Sequence, residues 1–284
     1  MVDRTTFAIL LVVVMPAFAC SSKNDIHKTA YSIARETCGL EEKENLATPY
    51  DFTEEIVYFE LTEECVVLLS SHIGLDWSSF GADRPLVIDR PANTPEIIVA
   101  GLFNVLLSGV SSSGYVDYSD WLSEESIDST DYSSSERQSA EAIWYEHIVN
   151  NIESVIYSDS AEVMLYAGDG VVVSYLLTEE SATGLELPPY TVGAILLHEA
   201  THVLGVEHVA CSLGGDVQCD EDMNGAYGVQ LAWMAAWFST YRSQLSPWDC
   251  YYAEQYYTAY CEHVLDDSDL GMCSNFIPEC EYPG

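Results

Sequence analysis

Basic residues are what this chain most lacks. Nine Lys and Arg stand against 46 Asp and Glu, a formal net charge of −37, and no lysine follows Lys43. A surface of that sign repels phosphate backbones, which excludes nucleic acid as a partner. It also disfavours anionic membrane surfaces unless a lipid supplies the anchor. No Cys-x-x-Cys pair, no Gly-x-Ser-x-Gly elbow and no histidine-rich tract occurs in the 284 residues. These absences argue against a cysteine zinc site, a serine-hydrolase site and a metal-sequestering loop. Internal repeats are missing, and no run after residue 19 is long and apolar enough to span a bilayer. Hydrophobic content is nonetheless 48%, enough for a full core, so the acidity marks a solvated surface and not a disordered chain. An acidic cleft would also concentrate cationic peptides.

What the chain does carry is one dense run, His198-Glu199-Ala200-Thr201-His202-Val203-Leu204-Gly205-Val206-Glu207-His208. It satisfies H-E-x-x-H-x-x-G-x-x-H at every fixed position, an accident expected roughly once in tens of thousands of such chains. On a helix, His198 and His202 lie four residues apart on one face and can grip one Zn²⁺. Glu199 stands beside them to take a proton from water on the ion. Gly205 lets the chain stop the helix and turn back, because a residue without Cβ reaches positive φ freely. His208 then closes a three-histidine site whose fourth position stays open for water. Val192, Leu196, Ala200 and Val203 recur at helical spacing and give the helix an apolar face. Thr191, just after Pro188-Pro189, reads as its N-cap.

These residues resemble the metzincin clan of zinc metalloproteases, whose motif is followed by a methionine-containing turn beneath the metal. Met223, fifteen residues after His208, is the candidate for that turn, since Met234 sits in a stretch that reads as helix interior. The resemblance is sharp from residue 190 to about 245 and architectural before that. It implies an α+β, metzincin-like fold: a small twisted mixed sheet, an active-site helix and a mostly helical lower subdomain. It further implies one Zn²⁺ per chain on His198, His202 and His208, with Glu199 as general base and Gly205 and Met223 as structural support. The substrate implied is a protein or peptide. In several members a tyrosine two residues after the methionine assists the metal. Here Tyr227 stands four residues on, which argues against direct ligation and leaves it transition-state assistance. The alternative is a non-catalytic cell-surface or zinc-binding protein with a vestigial site.

Export is read from the N-terminus. Arg4 precedes thirteen residues, Phe7 to Ala19, apolar apart from Pro16. That is too short for a bilayer span and suits a signal peptide over residues 1–19. Ala17-Phe18-Ala19-Cys20 fits an ordinary cleavage site and also resembles a bacterial lipobox, in which the cysteine carries the lipid. Nine cysteines are awkward for an oxidised exported protein, whereas Cys20 under lipid leaves eight for four disulfides. That parity favours a lipid anchor at a bacterial cell envelope over plain secretion. Eight cysteines allow about a hundred pairings; Cys211 with Cys219 and Cys273 with Cys280 are the shortest closures.

Residues 20–50 read as a polar tether or leading segment with one helical stretch near Ile26–Cys38. Residues 51–284 read as the protease domain with a disulfide-rich tail. Within it, Ile56–Phe59 and Val66–Leu69 are strand or buried helix, and Pro85–Ile88 is a buried strand. Helices are expected over Pro95–Val110, capped by Thr94, over Glu136–Ile156 and over Gly225–Leu245. Residues 111–136 read as a Ser-rich linker. Strands at Glu162–Ala167 and Val171–Leu177 flank a Gly168-Asp169-Gly170 turn, and Val171–Tyr175 is the candidate edge of the cleft. Asp220-x-Asp222-x-Asn224-Gly225 matches half of a calcium loop, but Leu231 replaces the bidentate glutamate, so Ca²⁺ is a secondary expectation. His27, His72, His147 and His263 have no partner at ligand spacing and read as surface or satisfied histidines.

Overall fold

The computed structural model describes residues 29–40, 60–89, 93–111, 142–157, 165–167, 171–174, 189–211, 218–222, 225–241 and 247–266. Along the first part of the chain lie α1 (Ala30–Thr37), β1 (Leu61–Thr62), α2 (Glu63–His72), β2 (Val87–Ile88), α3 (Thr94–Ser111) and α4 (Ile143–Asn151). The strands β3 (Ser154–Tyr157), β4 (Leu165–Ala167) and β5 (Val171–Ser174) follow, and then the histidine helix α5 (Pro189–Val203). Beyond it come β6 (Val209–Ala210), β7 (Gln218–Asp222), α6 (Ala226–Tyr241), α7 (Pro247–Cys261) and β8 (Val264–Asp266). Helices and short sheets share one core, so the architecture is α+β.

Local chemistry accounts for the helix starts. Thr29 and Thr62 accept hydrogen bonds from Ser32 N and Cys65 N and cap α1 and α2. At α3 the cap is Asn93, whose Oδ1 accepts from Glu96 N at 3.2 Å, one residue earlier than the expected Thr94. At α5 the helix opens on Pro189, whose missing N–H is no loss at a first position. The expected cap Thr191 is therefore inside the helix and fully buried.

The histidine helix is the hub of the core. Val192, Leu196 and Ala200 are all buried, as their spacing required, and α5 packs on α3, α4 and α6. Its crossing with α3 is a close one: a Cβ on Gly101 would meet Gly193 N at 2.9 Å, and one on Gly193 would meet Gly101 O at 2.9 Å. Trp233 of α6 closes the other side, 3.3 Å from that same hypothetical Cβ of Gly193. The leading segment joins the same core. Tyr31 and Ala34 of α1 are buried, Cys38 is bonded to Cys65 of α2, and Tyr31 N donates to the buried Glu146 of α4.

Among the described residues three sheets form, with strand orders β1-β2, β3-β5-β4 and β6-β7-β8. In the second, β3 runs parallel to β5 and β4 antiparallel to it, Ala167 facing Val171 across the expected turn. This corrects the edge assignment: β5 is central, hydrogen-bonded on both sides, and β4 is the antiparallel edge that approaches α5. An all-apolar strand such as Val171-Val172-Val173 suits a central position for the same reason. The helix expected to run to Ile156 stops at Asn151. Ile152, Val155 and Ile156 are β-branched, and the chain turns there into β3. The expected buried strand at Pro85–Ile88 shrinks to the two residues of β2, with Leu86 and Val87 exposed and only Ile88 facing the core. Val66–Leu69 resolves as helix, within α2. The linker at 112–136, the stretch 56–59 and the signal segment lie outside the described residues.

Candidate metal centre

Residues four apart on α5 bring two imidazoles together, and the turn after it brings the third. The helix ends at Val203, Gly205 takes φ 83°, and Gly205 N bonds the His202 carbonyl at 2.9 Å. A Cβ there would meet nothing within 4 Å, so it is the positive φ and not crowding that calls for glycine. The reversed chain then carries His208 back over the helix. His202 Nε2 lies 3.1 Å from His198 Nε2 and 3.0 Å from His208 Nε2.

Two of the rings have their protons fixed from outside. His202 Nδ1 donates to the Val206 carbonyl at 2.7 Å, and His208 Nδ1 donates to Asp220 Oδ1 at 2.8 Å. A carbonyl and a carboxylate only accept, so each Nδ1 holds a proton, and each ring when neutral leaves its lone pair on Nε2. Two lone pairs 3.0 Å apart repel unless a cation lies between them. Burial pushes the His198 pKa well below its usual value, with the His202 and His208 charges adding to it. Burial also lowers that of His202, so a proton is a poor occupant. The residues present therefore fit a metal ion, which the convergence of His198, His202 and His208 could hold.

The remaining expected site residues fall at different distances from this centre. Glu199, next to His198 on α5, is buried. Tyr227, at the start of α6, stacks on His208 with ring centroids 4.6 Å apart and sits edge-on to His198 at 4.5 Å. Its phenol pKa is pushed up to about 12, first by burial and then by the neighbouring Tyr260, Asp220 and Glu199. Tyr227 is thus at the centre as a proton-bearing ring wall. Met223 and Cys20 lie outside the described residues. Met234 is buried inside α6, as its sequence context indicated.

Several residues at the centre were read otherwise from sequence. Asp220 counted there only as the start of half a calcium loop. Its two carboxylate oxygens are instead committed to His208 Nδ1 and, at 3.0 Å, to Gly228 N in the first turn of α6. Of the rest of that loop, Asn224 lies outside the described residues. His263 had been set aside for lack of a partner at ligand spacing. Parallel pairing of β7 with β8 stacks its ring on Tyr227 at 4.6 Å and lets its Nδ1 donate to the Gln218 carbonyl at 2.8 Å. Gln230 of α6, buried beside His198, carried no signal at all. These are contacts between segments far apart in the chain, which local spacing does not encode. Of the other histidines, His72 pairs with Tyr145 at 2.6 Å, the buried His147 with Thr201 at 3.0 Å, and His27 lies outside the described residues.

Disulfides brace the site. Cys211–Cys219 closes as expected, just past His208 and just before Asp220. A second cluster of ligand types, Cys211, Cys219 and His263, therefore offers no thiolate. Cys250 and Cys261 are also disulfide-bonded. Eleven residues of helix, roughly 16 Å, keep them from bonding each other. The expected Cys273–Cys280 closure lies outside the described residues. Among the described residues no helix is long and apolar enough to cross a membrane. No family model matches the chain, and comparison with curated proteins and with solved structures finds no match.

Proposed function

We propose that this chain is an exported, zinc-dependent endopeptidase of metzincin-like fold. The observation that carries the reading is the convergence of three Nε2 atoms, with the Nδ1 atoms of His202 and His208 turned onto acceptors, the Val206 carbonyl and the Asp220 carboxylate. Three converging imidazoles match the three-ligand pattern of catalytic zinc, where structural sites use four protein ligands. When bound, zinc lowers the pKa of a water and polarises a carbonyl oxygen.

The chain's own residues supply the remaining steps. Glu199 takes a proton from the attacking water and delivers it to the leaving amine nitrogen as the peptide C–N bond breaks. Tyr227, kept protonated by its buried and anionic surroundings, can donate a hydrogen bond to the oxyanion that forms at the carbonyl. Strand β4, beside α5 and at the edge of its sheet among the described residues, offers its outer backbone to an extended peptide.

Disulfides at Cys38–Cys65 and Cys211–Cys219 point to an oxidising compartment, and a lipid on Cys20 would anchor the protein there. The test is metal analysis joined to digestion of a diverse peptide library. One zinc per chain, with cleavage abolished by a chelator and restored by Zn²⁺, is the expected result. Cleavage that survives complete metal removal would refute it.

A further inference from the structure

Each of His202 and His208 has its Nδ1 proton placed by an acceptor; His198 has a buried Nδ1 with no such partner. Nε2 of Gln230, on α6, is in the same condition. The two belong together. On α6, Tyr227 lies against His198, and Trp233 lies against Gly193 of α5, so the two helices run antiparallel here. Gln230 is midway between Tyr227 and Trp233 on the same face, one turn along α6 from the residue that packs on His198, and so lies within a turn of that ring. Its side chain stands within hydrogen-bond reach of the His198 ring and of the Tyr260 hydroxyl.

We infer that Gln230 is a positioning residue for His198, its amide oxygen accepting the Nδ1 proton while its amide N–H groups face the hydroxyl of Tyr260. The inference rests on the metal centre proposed above. A histidine that ligates through Nε2 must keep its proton on Nδ1, and a side-chain amide can be turned so that either its oxygen or its nitrogen faces a given neighbour. With the oxygen on His198, the nitrogen is left for Tyr260, and both buried orphan atoms acquire partners in one turn of the amide. The three ligands would then each have a separate keeper: a turn carbonyl for His202, the Asp220 carboxylate for His208 and the Gln230 amide for His198. Tyr260, beside the disulfide-bonded Cys261, would tie that third keeper to the C-terminal helix.

Titration of the full chain with Zn²⁺ against a chromophoric chelator tests this, using wild type, Gln230→Leu and Gln230→Glu. Leu fills the space and cannot accept, so Zn²⁺ should bind about 10–100-fold more weakly, while Glu, which accepts, restores near wild-type affinity. Imidazole ¹⁵N spectra of the metal-free proteins should show His198 as the Nδ1–H tautomer in wild type and Gln230→Glu, and a mixture in Gln230→Leu. Wild-type affinity in Gln230→Leu, or equal weakening by Leu and Glu with the tautomer unchanged, would overturn the inference while leaving the centre standing. Absence of Zn²⁺ binding by the wild type would remove both.

Discussion

His208 Nδ1 donates to Asp220 Oδ1 at 2.8 Å, across twelve residues of chain, and the carboxylate is wholly shielded from solvent. The other oxygen of Asp220 accepts from Gly228 N at 3.0 Å. One side chain thus sets the tautomer of the third imidazole and fixes where α6 begins, and α6 carries Tyr227 and Gln230 into the centre. The Cys211–Cys219 bond clips together the strands on which this arrangement rests, with Val209 paired to Cys219 and Ala210 to Gln218.

Asp220→Ala should therefore weaken zinc about 10–100-fold and also lower stability by about 1 kcal/mol through the lost helix-start bond. Asp220→Asn keeps an acceptor and should lose much less. Chelator competition and urea unfolding of the metal-free proteins separate the two effects. Unchanged zinc affinity in Asp220→Ala would contradict the role given to it.

Low pH should destabilise the fold through His147. Burial lowers its pKa to about 4 from the usual 6.5, so the unfolded chain binds the proton and the folded one does not. The stability this provides is complete above pH 6.5 and is lost as pH falls toward 4, about 3 kcal/mol over the window at roughly 1.4 kcal/mol per unit. Glu146, whose carboxyl pKa is raised by burial, has the opposite slope, so the comparison must be differential. Urea unfolding of wild type and His147→Gln between pH 7 and pH 4 should show the steeper fall in wild type. Parallel curves would assign the acid sensitivity elsewhere.

Packing at the α3–α5 crossing should tolerate no added methyl. Gly193→Ala places a carbon between Gly101 O and the Trp233 ring, and forcing the helices apart should cost about 1–3 kcal/mol. Because α5 carries His198 and His202, zinc affinity should fall with it. A urea midpoint equal to wild type would show that the crossing has slack.

The parts of the centre that local spacing can express were legible: the three converging imidazoles and the turn at Gly205. The apolar stripe of α5 was legible for the same reason. The residues around the imidazoles were not, because Asp220, Gln230 and His263 reach the site through β7, α6 and the turn before β8. Nothing in a run such as Cys219-Asp220-Glu221 says that it will pair with Val264. Strand order was similarly hidden: Val171–Ser174 has the composition of a strand, and only its neighbours decide whether it is an edge. Helix ends suffered where β-branched residues could continue either structure, as at Ile152 and Val155.

Covalent mapping should separate the cysteines into distinct classes. Non-reducing digestion is expected to yield peptides joined through Cys38–Cys65 and Cys211–Cys219, with Cys250 and Cys261 in two separate bonds. If Cys20 bears lipid, those two bonds must consume Cys273 and Cys280. A Cys20 found in a disulfide would end the lipid-anchor proposal.

The most direct test of the central claim is Glu199→Gln, assayed for bound zinc and for peptide hydrolysis in the same preparation. Glu199 is buried beside His198 but is not one of the three converging ligands, so zinc should stay near one per chain. Loss of the proton acceptor should lower hydrolysis about 10²–10⁴-fold. Wild-type and variant proteins that bind zinc equally and cleave equally, or that both fail to cleave, would contradict the peptidase account.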